Sequence, residues 1–440
     1  MPVLTWRLGA AAVVGAAVVL ALPLDPIASI IGVNAGLLAA AAIDWARTPS
    51  PSQVGVSRQA PAIVPLGGAA EISWSVANPS PRRLRVSVAD ELAPSLQAAS
   101  RQFSVRIPPL GAAGAAVAIR PSRRGRFEPS QIAVRVEGPL GLVGRQERRR
   151  VPGTIRVYPP FHSRDEAELR ISKARILEVG LRSAKGRGGG TEFDQLREYG
   201  PDDEFRRIDW AATARAGKPI VRTHRAERNQ TVLLLLDTGR VMAGRVRDPS
   251  GAEVPRLDHA MDAVMMLTAV STRLGDRAGL VAFADTVRAV VPPTRTRDQL
   301  GRVTDAMYSL EPELVESDYR GAFMQTLSRF RRRALLVVLT ELAEQAVAET
   351  LLPALPLVLR SHVVMVAGVR DPAVQRWATA VPAEPGAAYR KAAAVAALDE
   401  RRRIVSRLRG MGAVVVDAAP GQLAPQLADA YLHVKATGRL

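Results

Sequence analysis

The chain of 440 residues contains no cysteine. That excludes a disulfide scaffold, a zinc-thiolate site, an iron–sulfur cluster and a thiol nucleophile. Aromatic residues make up only 4% of the chain, so the stacking platforms that grip single-stranded nucleic acid are missing. There are five histidines, at 162, 224, 259, 362 and 433, and none stands in a nucleophile-elbow context. A serine nucleophile therefore has no visible partner base, and catalysis has no visible carrier. Lysine is scarce as well, with five among 60 basic residues. Together with abundant alanine this reads as a coding bias, so arginine in place of lysine is not itself a functional signal.

What is present is a folded, basic chain. It is 47% hydrophobic and 23% charged, which excludes a disordered, collagenous or coiled-coil rod and leaves two or three domains. The formal net charge is +18, and more than half of it lies in residues 51–160, which carry sixteen Arg against six acids.

Two uncharged apolar runs open the chain, at 8–24 and 26–43, each near the lower length limit for crossing a bilayer. Pro23, Asp25 and Pro26 suit a tight turn between them. Arg7 precedes the first run, and Asp44, Trp45 and Arg47 follow the second. The turn has no basic residue, so the positive-inside rule places both ends in the cytoplasm. Gly32 and Gly36 form a G-x-x-x-G pair that allows close helix approach. The expectation is a transmembrane helical hairpin over 1–47, a multi-pass anchor in the cell membrane with most of the chain cytoplasmic. A cleaved signal peptide is the alternative for the first run, but no convincing cleavage site follows it.

Residues 51–160 alternate short period-two runs with turn residues: Glu71–Val76, Leu84–Val88, Phe103–Ile107, Ile132–Val136 and Thr154–Tyr158. This spacing predicts a small β-rich, sandwich-like domain with Arg on the solvent face. Its basic surface suits either anionic headgroups or plain solvation. No DNA-reading helix pattern is present, and nucleic acid is not expected as a partner.

Residues 161–230 form a charged bridge. A helix is expected over 164–182, followed by the Gly-rich stretch Lys185–Gly190, which lacks the spacing of a phosphate loop. Then Arg, Asp, Tyr and Trp alternate densely, a composition suited to bidentate Arg–carboxylate pairs or to an active-site loop.

The matching positions are Phe193, Leu196, Arg197, Tyr199, Asp203, Arg206, Ile208, Asp209, Trp210, Thr213, Ala214, Arg215, Val221, Arg222 and Glu227. Through them the segment resembles the signature of the family called domain of unknown function fifty-eight, with Asp202 where a Gly is usual. Upstream, Arg124–Phe127 and Gly138–Leu142 resemble two of its turns, with Gly138 in place of the usual Asp. Two N-terminal membrane spans are also common in that family.

Residues 231–440 alternate strands and helices. Thr231–Leu236, Ala278–Phe283, Val287–Val291, Ala334–Leu339, His362–Val369 and Ala413–Val416 read as strands. Helices are expected near 258–274, 297–308, 319–331, 388–409 and 422–435. This is an α/β pattern with a doubly wound, mostly parallel sheet, whose ligands bind at the carboxyl ends of strands. Asp237, Thr340 and Glu341 fall at that edge. The family resemblance implies a von Willebrand factor A-like domain, which often holds Mg²⁺ through a D-x-S-x-S motif, a middle-loop Thr and a later Asp. Here the motif reads Asp237-Thr238-Gly239-Arg240-Val241, with both Ser positions lost. Ser317 could take the Thr position and Glu341 stands where the Asp is expected. The expectation is a degenerate metal site of Asp237, Ser317 and Glu341 and no resident cofactor, although Mg²⁺ would be the candidate. Arg240 could reach a partner's carboxylate in the cation's place. His259 and Asp262, three apart on a helix, are expected to pack rather than bind metal. Arg401–Arg403 reads as a solvated face.

The resemblance further implies a membrane-anchored adaptor that works with a MoxR-type AAA+ ATPase on an unknown client protein, in chaperone-like maturation. Its interaction residues would be Arg197, Tyr199, Asp203, Arg206, Asp209, Trp210, Arg215, Arg222 and Glu227. The alternatives are a metal-dependent or hydrolytic enzyme using residues 190–227, and a passive envelope structural protein.

Overall fold

The computed structural model describes residues 1–21, 25–173, 192–200, 205, 208–225, 230–248, 251–342 and 347–438. They form two compact units, Met1–Tyr158 and Pro159–Leu440. The expected helix beyond residue 173, the Gly-rich stretch, Asp203, Arg206 and Glu227 lie outside the described residues.

In the first unit, β1 (Pro2–Leu4) leads into helix Trp6–Ala21, and helix Pro26–Arg47 follows. Gly15 faces the Val33 side chain at the contact between them; a Cβ at Gly15 would meet it at 2.6 Å. The second helix is long and apolar enough to cross a membrane, with a mean hydropathy of 1.8. The first, at 16 residues, is shorter than a typical span.

The β-rich part comprises β2 (Gly55–Gln59), β3 (Ile63–Pro65), β4 (Ala70–Ala77), β5 (Leu84–Asp90), β6 (Gln102–Ile107), β7 (Ala112–Ile119), β8 (Gly125–Phe127), β9 (Gln131–Glu137), β10 (Val143–Arg150) and β11 (Ile155–Tyr158). Three sheets result, ordered β1-β10-β9-β5-β6, β2-β4-β7 and β3-β11-β8. The period-two pattern does the work: Ile72, Trp74 and Val76 of β4 share one core with Val86 and Val88 of β5 and Ile132, Val134 and Val136 of β9. Each such side chain contributes about 1.5–3 kcal/mol on burial. Among the strands that hydropathy leaves silent is β10, which carries four Arg and is fixed instead by pairing with β9 and β1.

The N-terminal helices are tied to this β-rich part rather than set apart from it. Strand β1 pairs with β10, and the N-terminal ammonium donates to the Gln146 carbonyl at 2.8 Å. The buried Asp44 carboxylate, near the end of the second helix, accepts from the amides of Leu140, Leu142 and Val143 at 2.7–3.0 Å. A Cβ at Gly138 would fall 2.4 Å from Asp44 Oδ1. Asp44 therefore occupies the space that a side chain at position 138 would need.

The second unit holds β12 (Glu192–Glu198), β13 (Ile220–Arg225), β14 (Thr231–Asp237), β15 (Arg245–Arg247), β16 (Glu253–Pro255), β17 (Arg277–Phe283), β18 (Val287–Thr294), β19 (Leu335–Leu339), β20 (Val363–Val369) and β21 (Val414–Ala418). The main sheet runs β18-β17-β14-β19-β20-β21, parallel except for the β17–β18 pair. Alternate residues of β14 point to opposite cores: Val232, Leu234 and Leu236 to one, Leu233 and Leu235 to the other. Helices Arg256–Arg273 and Leu423–Ala436 cover the first face. Helices Tyr319–Arg329, Leu352–Leu359 and Pro385–Gly410 cover the second. Burial on both faces explains why these strands read as unbroken apolar runs.

The bridge is not merely a linker. Its helical start at 164–173 belongs to this unit: Ser163 donates through its amide and hydroxyl to Asp262 Oδ1 at 3.2 and 3.0 Å, and Arg170 pairs with Asp429 at 2.8 Å. Asp262 is thus a packing residue, and burial pushes its carboxyl up from the ordinary range. Farther on, β12 and β13 pair antiparallel and flank helix Trp210–Ala216.

Candidate functional site

Asp237 closes β14 at the carboxyl edge of the sheet and is fully buried. Both of its oxygens are occupied by donors from this chain. Oδ1 accepts from the Gly239 amide at 2.8 Å and from Ser317 Oγ at 2.6 Å. Oδ2 accepts from the Tyr319 hydroxyl at 2.8 Å and from Thr340 Oγ1 at 2.6 Å. Burial and the Asp237 carboxylate push the Tyr319 hydroxyl well above its ordinary range, so it remains a protonated donor. Four donors on one buried carboxylate answer its desolvation cost without a metal.

Glu341 does not join Asp237. It turns to two arginines: Arg256 Nε lies 3.0 Å from Oε2, and Arg401 Nη1 binds Oε1. Arg401 also grips Asp417 of β21, with Nη2 at 2.9 Å from Oδ1. Its side chain is 13% exposed, so Arg401 is a bracing residue and not part of a solvated face. Burial opposes its charge, but Glu341 and Asp417 hold its pKa above the ordinary value. Arg240 pairs on the surface with Glu316, and both side chains are more than half exposed.

These residues do not fit Mg²⁺. Of the three expected ligands, Asp237 and Ser317 come together but are hydrogen-bonded to each other. Glu341 is neutralised by two guanidinium groups, which repel a dication. Restoring a hydroxyl at position 239 is blocked, because a Cβ there would lie 2.1 Å from Ser317 Oγ. Among the described residues no group of three His, Cys, Asp or Glu is placed to hold a metal. Tyr319, Arg256 and Arg401 escaped the sequence reading. The only local hint for Tyr319 is its place just after Asp318, whose carboxylate caps the helix by accepting from the Gly321 amide.

The Arg/Asp/Trp-rich segment is built differently. Asp209 caps its helix by accepting from the Ala212 amide at 3.0 Å, and Thr213 Oγ1 accepts from the Ile220 amide at 3.0 Å. Arg197 Nη1 donates to the Glu198 carbonyl at 3.0 Å, and Arg215 Nε donates to the Ala211 carbonyl at 3.1 Å. Arg222 lies on β13, opposite Leu196. The large apolar side chains face outward: Leu196 is 45% exposed, Tyr199 37%, Phe205 67% and Trp210 61%. Phe205 and Trp210 meet edge to face, with centroids 5.6 Å apart.

Residues 195–380 match the family described as "Protein of unknown function DUF58". Uncharacterized proteins from Mycobacterium bovis and Mycobacterium tuberculosis are each 28% identical over 156 residues, covering 35% of this chain and 48% of the relative. The chain thus spans about half the length of the curated relatives it matches. Among solved structures, an uncharacterized membrane-spanning protein from Vibrio fischeri aligns at 18% identity, covering 48% of this chain and 98% of that one, with a TM-score of 0.20. The CARDB domain of a Pyrococcus furiosus protein aligns at 16% identity over 22% of this chain and 94% of its own, with a TM-score of 0.14.

Proposed function

We propose that this chain, whose residues 195–380 match the DUF58 family of unknown function, is a membrane-anchored interaction protein and not an enzyme. In this reading the two N-terminal helices form a membrane hairpin and both units face the cytoplasm. The α/β unit is a von Willebrand factor A-like domain that works without Mg²⁺. The partner is a MoxR-type AAA+ ATPase, which acts with it on a client protein. The observation that carries the reading is the outward set Leu196, Tyr199, Phe205 and Trp210 in the family-matched region. Exposed aromatic residues of this size are enriched at protein interfaces and give little return in solvent. Asp209, which an enzymatic reading would use as an acid or base, is committed to its helix cap.

The test is affinity purification of the full-length protein from detergent-solubilised membranes, with and without a non-hydrolysable ATP analogue. Retention of an AAA+ ATPase only with nucleotide supports the adaptor. Absence of any ATPase under both conditions removes it.

A further inference from the structure

A second surface lies beyond the carboxyl ends of β20 and β21. There a groove of about 560 Å³ runs along helix Pro385–Gly410, walled by Arg370, Gln375, Arg402, Ser406 and Arg409. Its floor is Arg401 with Asp417, a mutually neutralised pair. Arg402 pairs with the half-exposed Asp399 at 2.6 Å and donates to the Leu398 carbonyl at 3.4 Å. Arg370 and Arg409 have no carboxylate partner among the described residues. The groove therefore carries two arginines, Arg370 and Arg409, that no carboxylate among the described residues balances, in contrast to the edge around Glu341.

Spacing selects the ligand. Arg402 and Arg409 are seven residues apart on one helix face, which separates them by about 10 Å along the axis. A pyrophosphate is shorter than that separation, so the two side chains would have to lean toward each other to share it. Carboxylates three residues apart on a polyproline II peptide share one face and lie about 9 Å from each other. Ser406 lies between the two arginines in sequence, and Gln375 lines the same groove and carries both a donor and an acceptor for a peptide backbone. Open α/β sheets bind ligands at this end of their strands.

We infer that the groove of Arg370, Arg402 and Arg409 binds an acidic peptide segment of a protein partner in polyproline II conformation. Guanidinium groups take carboxylates through paired hydrogen bonds, which gives the groove specificity as well as attraction. That the segment belongs to the adaptor's partner rests on the proposed function; the groove's affinity for acidic peptide does not.

The experiment titrates a fluorescein-labelled hexaglutamate peptide into the full-length protein in detergent micelles. Hexaglutamine and pyrophosphate serve as comparisons. Binding of hexaglutamate alone is expected. Arg370→Ala with Arg409→Ala should weaken it about tenfold or more, the loss of at least one charge-assisted hydrogen bond. Arg331→Ala with Arg332→Ala removes the same charge from another surface and should leave binding within twofold. Equal weakening by both pairs would reduce the effect to net charge and overturn the site. So would hexaglutamate binding untouched by the first pair, or tighter binding of pyrophosphate. None of these results depends on whether an ATPase co-purifies, so the two proposals fail separately.

Discussion

The carboxyl edge around Asp237 and the segment 192–225 sit in one unit and handle polar chemistry in opposite ways. At the edge, charged and hydroxyl groups are buried and each answers another: Asp237 with Ser317, Tyr319 and Thr340, and Glu341 with Arg256 and Arg401. In the segment, polar side chains cap and tether the backbone, while Trp210, Phe205 and Tyr199 face solvent. The first arrangement keeps its interactions internal and holds β14, β19, β21 and three helices together. The second leaves its largest apolar surface for something outside the described residues. A site that resembles a metal centre by position is thus internally paired, whereas the segment 192–225 leaves its large apolar side chains exposed.

The sharpest way to break this contrast is Arg401→Ala. It leaves Glu341 with Arg256 alone and takes from Asp417 the guanidinium that answers it, and a cost of about 3–5 kcal/mol is expected. Chemical denaturation followed by circular dichroism measures it; a cost under 1 kcal/mol would make the edge an exposed, uncommitted cluster. Asp44 offers a similar test outside both regions. Asp44→Ala strands three amides and should cost about 3 kcal/mol. Adding Gly138→Asp should recover much of that loss, because the new carboxylate would enter the space that Asp44 vacates. Trp210→Ala should change stability by no more than about 0.5 kcal/mol, as for a surface position, yet abolish ATPase retention. A large stability loss would show Trp210 to be packed instead. Smallest of all is the expected response to Mg²⁺. A micromolar site would add about 4 kcal/mol at a thousandfold excess, whereas no shift in melting temperature is expected.

The main sheet was legible because its strands are buried on both faces, which forces apolar runs such as Thr231–Leu236. The β-rich core was legible from period-two alternation in β4, β5 and β9. Strand β10 was not, since its outward Arg side chains carry no hydropathy signal and only its neighbours define it. Asp237 and Ser317 were found because position at a strand end and one hydroxyl suffice to nominate them. Their real partners were hidden by distance along the chain: Tyr319 lies 82 residues from Asp237, and Arg401 lies 60 from Glu341. The arginine run at 401–403 looked uniform in sequence, yet only the turn of the helix decides that Arg401 points inward while Arg402 and Arg403 do not.

The central claim is that the ATPase meets the outward aromatics and not the Asp237–Arg240 end of the carboxyl edge. Site-specific photo-crosslinking tests it in living cells, with benzoylphenylalanine placed at position 210 in one strain and at position 240 in another. The account predicts an adduct with an AAA+ ATPase from position 210 and none from position 240. An ATPase adduct from position 240 alone would contradict it.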